Sequence, residues 1–130
     1  MSNLEPFVTR VEDVELETWD DARGRLSFHT LISGGRTPSN GLVAGVSIVE
    51  PGGELAPHSH AQPEMYFVLE GSAIVTIDGV ARTVSPGAAV FIPGGARHAI
   101  NNQSDKTFRI LYAFPADRFD QIHYEFASRA

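Results

Sequence analysis

The sequence predicts an all-β domain, a barrel or sandwich of short antiparallel strands. Three observations carry this expectation. From Arg25 onward the chain is a series of short β-prone runs, and each run is closed by Gly, Pro or Asn turn residues. Only one helical turn stands out, Ala116–Asp120, directly after Pro115.

The runs, in order, are Arg25–Ile32, Leu42–Glu50, Met65–Glu70, Ala73–Ile77, Ala88–Ile92, Ala96–Asn101, Thr107–Phe114 and Ile122–Phe126. Between them stand Gly34-Gly35, Pro51-Gly52-Gly53, Asp78-Gly79, Pro86-Gly87 and Pro93-Gly94-Gly95. Asp-Gly supplies two residues that tolerate positive φ, so Asp78-Gly79 predicts a tight hairpin. Leu4–Leu16 reads either as a strand pairing with a neighbouring subunit or as a loop over the barrel. No repeat, linker or low-complexity tract interrupts the pattern, so residues 1–130 are expected to form one domain, with a barrel core over about 25–127.

Composition narrows the function. A chain of 130 residues supports one hydrophobic core, and 42% hydrophobic with 20% charged residues is ordinary for a globular protein. The net charge is −6 and Lys106 is the single lysine. A nucleic-acid or anionic-membrane partner needs a basic stripe, and the sequence has none. With no cysteine, disulfides, thiolate zinc sites and a cysteine nucleophile are excluded. No basic-then-apolar leader and no bilayer-length apolar run is present, so the expected location is the cytoplasm.

The chemistry lies in two segments, Gly52-x5-His58-x-His60-x3-Glu64-x6-Gly71 and Gly87-x5-Pro93-x-Gly95-x2-His98-x3-Asn102. His58 and His60 are two apart, so on an extended chain both rings project to one face. Glu64 opens the next strand after a corner at Gln62-Pro63. The Pro93-Gly94-Gly95 turn can bring His98 back to the same point. Three imidazoles and a carboxylate suit one divalent transition metal and leave positions open for water or substrate. That donor set accommodates iron, manganese, nickel, cobalt or zinc. His29 and His123, outside these segments, read as ordinary polar residues. Gly52, Gly71, Gly87, Pro93 and Gly95 read as turn residues, and Asn102 as a backbone-bonding one.

These segments match, without a gap, the two signature motifs of the cupin superfamily. The resemblance implies a jelly-roll β-barrel with a metal ion inside, bound by His58, His60, Glu64 and His98. It names no reaction, because cupins include dioxygenases, isomerases, lyases, decarboxylases and non-catalytic binders.

Strand parity extends the site. If Glu64 points inward, so do Tyr66, Val68 and Glu70, while Met65, Phe67 and Leu69 point out. On the last run Ile122, Tyr124 and Phe126 share the inner face. On Thr107–Phe114 either face could look inward. The four ligands with Tyr66 two residues after Glu64, and the run Phe114–Asp120 followed by a strand carrying Tyr124, resemble the small cupin lyases that cleave dimethylsulfoniopropionate. That narrower resemblance implies catalytic roles for Tyr124, as base, and Tyr66, and a small carboxylate substrate. An oxygenase or isomerase, or a non-catalytic binder, are the alternative readings. Unpaired strand edges in a small jelly roll lead us to expect a homodimer.

Overall fold

The structure is a computed structural model and describes residues 4–126. Eleven strands run in chain order: β1 Glu17–Asp21, β2 Gly24–Ile32, β3 Val43–Val49, β4 Glu54–Ser59, β5 Glu64–Glu70, β6 Ala73–Ile77, β7 Val80–Val84, β8 Ala89–Ile92, β9 His98–Asn101, β10 Phe108–Phe114 and β11 Glu125–Phe126. They form one curled antiparallel sheet ordered β7-β6-β9-β4-β2-β3-β10-β5-β8, with β1 added to β2 and β11 to β4. This is the expected all-β jelly-roll barrel. Its inner face carries Leu26, Phe28, Val68, Val75, Ile100, Phe108, Ile110 and Phe114, all buried.

The Asp78-Gly79 hairpin forms as expected. Ile77 pairs with Val80, and both turn residues have positive φ, 47° and 82°. Asn102 is fully buried and donates from Nδ2 to the carbonyls of Val49 and Lys106 at 2.8 Å each, a backbone-bonding role.

Three expectations need correction, and one open alternative, at Leu4–Leu16, is decided for a loop. The barrel begins at β1, not near Arg25, because Glu17–Asp21 pairs along its whole length with β2. Glu70 does not point inward. The β5–β10 register shifts between Arg109 and Ile110, which breaks the alternation and leaves Glu70 exposed beside Arg109 at 3.7 Å. The last strand is only Glu125–Phe126, and Ile122–Tyr124 is a connector leaving a 3₁₀ turn at Phe119–Gln121. Its alternation survives, with Ile122 buried and His123 exposed. The 3₁₀ turn overlaps the expected helical turn at Ala116–Asp120. Leu4–Leu16 contains no strand; it is extended chain with a 3₁₀ turn at Val11–Asp13, tied down by Glu5 N–H to the Pro38 carbonyl at 3.1 Å. His29 serves the same segment, donating from Nδ1 to the Val14 carbonyl at 2.9 Å.

Candidate metal centre

His58 and His98 are direct cross-strand partners on β4 and β9. His58 faces inward only because the register slips between Leu55 and His58, a bulge that turns both toward the core. His60 follows β4, where its carbonyl accepts from Gly95 N–H at 2.8 Å. Gly94 lets that corner close, since a Cβ there would collide with the Ala61 carbonyl oxygen. Glu64 starts β5. All four residues are buried, His58 and His98 to 1% exposure and Glu64 to 6%.

Each imidazole is fixed by the same device. His58 Nδ1 bonds the Ala56 carbonyl at 2.8 Å, His60 Nδ1 the Gln62 carbonyl at 2.9 Å, and His98 Nδ1 the Ala96 carbonyl at 2.9 Å. A carbonyl only accepts, so each Nδ1 carries a proton and Nε2 is the nitrogen each ring can offer to an ion. The ring nitrogens of His58, His60 and His98 that could bind an ion lie within 4.8 Å of one another. Glu64 Oε1 joins them, 3.1 Å from His60 Nε2 and 3.3 Å from His98 Nε2.

Nε2 and Oε1 converge here at hydrogen-bond separations. Ligand atoms about 2.1 Å from one ion and at right angles around it would be about 3 Å apart, which matches these contacts. The donor set therefore fits a metal ion, and the backbone carbonyls provide the orienting outer partners such sites use.

The electrostatics agree. Burial pulls His58 down to about 4, and the nearby His98 adds to the shift, so the ring stays neutral and able to bind an ion. Burial works to raise Glu64, but its contacts with His60 and His98 hold it below the usual carboxylate range.

The cluster opens onto a narrow cavity of about 30 Å³, room for the open positions of an ion and a water or two. His58, Glu64, Tyr66, Tyr112 and Tyr124 line it, with Trp19, Phe28 and Phe119 forming an aromatic wall. Both expected tyrosines reach this space. Tyr66 is buried, its ring 6.4 Å from that of His98. Tyr124 is half-buried, its ring 5.4 Å from His58 and 5.3 Å from His60. Burial pushes both phenols well above their ordinary value of 10, and the Glu64 carboxylate adds to the rise.

The sequence did not assign Trp19 to the site and left the orientation of Tyr112 open. Trp19 arrives on β1 and meets Phe28 edge-on at 5.2 Å and Tyr124 at 5.9 Å. Tyr112 faces inward on β10. The charge of Arg109 on the opposite face was the available signal for that orientation.

Comparisons agree with this architecture. Residues 45–114 match the family model described as the cupin domain. The chain is 37% identical over 126 residues to dimethylsulfoniopropionate lyase DddW of Ruegeria pomeroyi, covering 96% of this chain and 82% of that one. It is 31% identical over 99 residues to dimethylsulfoniopropionate lyase DddQ of the same organism, covering 75% of this chain and about half (49%) of that one. Among solved structures, the polyketide cyclase RemF of Streptomyces resistomycificus superposes with a TM-score of 0.83 at 25% identity, covering 97% of this chain and 88% of that one. A cupin-2 domain from Rhodospirillum rubrum superposes with a TM-score of 0.78 at 20% identity, covering 98% and 84%, a likeness of fold alone. The family model spans more than half of the sequence, and the chain belongs to the cupin family.

Proposed function

We propose that this cupin is a metal-dependent carbon–sulfur lyase that cleaves dimethylsulfoniopropionate to dimethyl sulfide and acrylate. One observation carries the metal: three buried imidazoles, each with Nδ1 committed to a backbone carbonyl, bring ligand nitrogens within 4.8 Å of one another, with the Glu64 carboxylate beside two of them. The likeness to DddW over nearly the whole chain supports the reaction.

His58, His60, Glu64 and His98 would hold one divalent ion, of iron, manganese, nickel, cobalt or zinc. An ion there supplies Lewis acidity to a substrate carboxylate, which makes the adjacent carbon-bound proton easier to remove. Tyr124 takes that proton as phenolate. The carbon–hydrogen pair becomes the new double bond, and the carbon–sulfur pair leaves with dimethyl sulfide. Tyr66, beside Glu64 on β5, orients the carboxylate. Trp19, Phe28 and Phe119 offer ring faces to the sulfonium, a contact worth about 0.5–2 kcal/mol. The substrate is larger than the cavity, so it enters as the aromatic wall yields.

The molecule is expected to act as a homodimer in the cytoplasm. The open edges at β7 and β8 and the exposed Met65, Phe67, Leu69 and Phe91 favour self-association. Sedimentation at micromolar concentration tests this, and a 14.1 kDa species alone would refute it. The reaction is tested by following dimethyl sulfide release from dimethylsulfoniopropionate by protein loaded with each of the five metals. Oxygen uptake in place of dimethyl sulfide would favour an oxygenase.

A further inference from the structure

Tyr112 is a buried phenol that the fold itself does not use. On β10 it stands between Tyr66 of β5 and Gly45 of β3, its direct partners on either side. The side chain is 4% exposed, lines the cavity, and its hydroxyl makes no hydrogen bond to any described residue. A buried hydroxyl left unpaired weakens a fold. Its surroundings nonetheless make room for it. Gly45 sits in a strand interior, where glycine packs poorly, and a Cβ there would collide with the Tyr112 hydroxyl.

The nearest polar group is the Thr30 hydroxyl, which lies beside the phenol without meeting hydrogen-bond geometry and is itself committed as a donor. Thr30, across β3 from Tyr112, donates its hydroxyl to Glu17 Oε2 at 3.0 Å, and Glu17 is held by Arg36 Nη1 at 3.0 Å. Burial pushes the Tyr112 phenol up to about 12, with Thr30 opposing part of the rise, so the hydroxyl keeps its proton at neutral pH. Among the described residues no Lys or Arg lines the cavity, and Ser47 is another hydroxyl-bearing residue there. Glu64 also lines it, so an anionic group inside would meet neutral donors and would need an ion on the histidine cluster to offset that carboxylate.

We propose that Tyr112 is a recognition residue for small carboxylates, its hydroxyl donating to a carboxylate oxygen of the ligand in the cavity. The proposal rests on the reading above in one respect, that this cavity is where the substrate binds. A carboxylate oxygen supplies the partner the hydroxyl lacks, and Tyr66 on the neighbouring strand faces the same space. An uncharged amide of equal size would gain less, because a hydrogen bond to a charged acceptor is the stronger one.

The test is calorimetric binding of propionate and of propionamide to metal-loaded protein, with Tyr112→Phe alongside. Propionate is expected to bind the parent more tightly than propionamide, and Tyr112→Phe to lower its affinity about tenfold, with metal content unchanged. Ligand-free Tyr112→Phe should melt at the same temperature or higher, because an unpaired hydroxyl has been removed. Propionate affinity within twofold of the parent, a lower melting temperature, or no propionate binding by the parent would each overturn the proposal. Dimethyl sulfide release separates it from the lyase reading. Propionate binding that depends on Tyr112, with no dimethyl sulfide formed, sinks the lyase and keeps the subsite. Lyase activity with an unchanged KM in Tyr112→Phe sinks the subsite and keeps the lyase.

Discussion

The histidine end of the cavity and its aromatic wall are held in place by different means. His58 and His98 sit opposite each other on paired strands, and each of the three rings is pinned by a backbone carbonyl within 2.9 Å. Backbone bonds thus fix their orientation, as an ion with short, directional bonds requires. Trp19, Phe119 and Tyr124 come from an added strand, a 3₁₀ turn and a connector. Ring contacts hold them, from 5.2 Å for Trp19–Phe28 to 6.3 Å for Phe119–Tyr124. Such contacts are non-directional enough to re-form around a guest. The barrel thus combines a backbone-pinned histidine cluster that could bind a metal with a wall held by ring contacts.

Substitutions at the two ends should therefore fail differently. His58→Ala or His98→Ala should remove the ion and abolish turnover. Metal analysis of the purified variant checks this, and a full equivalent of metal retained in either would break the distinction. Chelation should also lower the melting temperature of the parent, because an ion bound only by the folded state stabilises it.

Tyr124→Phe should behave in the opposite sense, keeping metal content and melting temperature while turnover falls by about a hundredfold or more. The phenol is pushed well above 10 by burial, so the phenolate fraction grows with pH and turnover of the parent should rise toward alkaline pH. A flat profile from neutral to alkaline pH would remove Tyr124 as the base.

Trp19→Ala should act more mildly. Losing one ring of the wall should raise KM about tenfold, in line with a single cation–π contact, and change kcat less. A loss confined to kcat would assign Trp19 to the chemistry.

The smallest effect is on alkaline stability. Tyr112 has a folded value raised to about 12 from an ordinary 10. Below pH 10 both folded and unfolded chains keep the proton, so its contribution is intact. Between pH 10 and about 12 the unfolded chain ionises first and stability falls. Alkaline melting curves of the parent and of Tyr112→Phe should diverge over that window, with the variant the more resistant.

What could be read from the sequence follows the reach of local rules. The four candidate ligands were legible because their spacing is short and local: one residue between His58 and His60, and a Pro-Gly-Gly corner before His98. The Asp78-Gly79 hairpin was legible for the same reason. Strand β4 was not, because Pro57 and the slip between Leu55 and His58 interrupt its alternation. Strand β7 is largely exposed on both faces, so it carries no hydrophobic period to detect. Trp19 sits among acids on a strand whose only neighbour is β2, and its place in the wall is set by tertiary packing. The outward turn of Glu70 depends on a register shift against β10, far away in sequence, at the pairing Arg109–Glu70.

The central claim is that an ion on the histidine cluster drives carbon–sulfur cleavage, and one measurement tests it most directly. Dimethyl sulfide release from dimethylsulfoniopropionate should be followed in metal-loaded protein, in the same protein after chelation, and again after reloading. We predict release, loss and recovery, tracking metal content measured on the same samples. Release that persists in metal-free protein, or no release with iron, manganese, nickel, cobalt or zinc, would contradict the account.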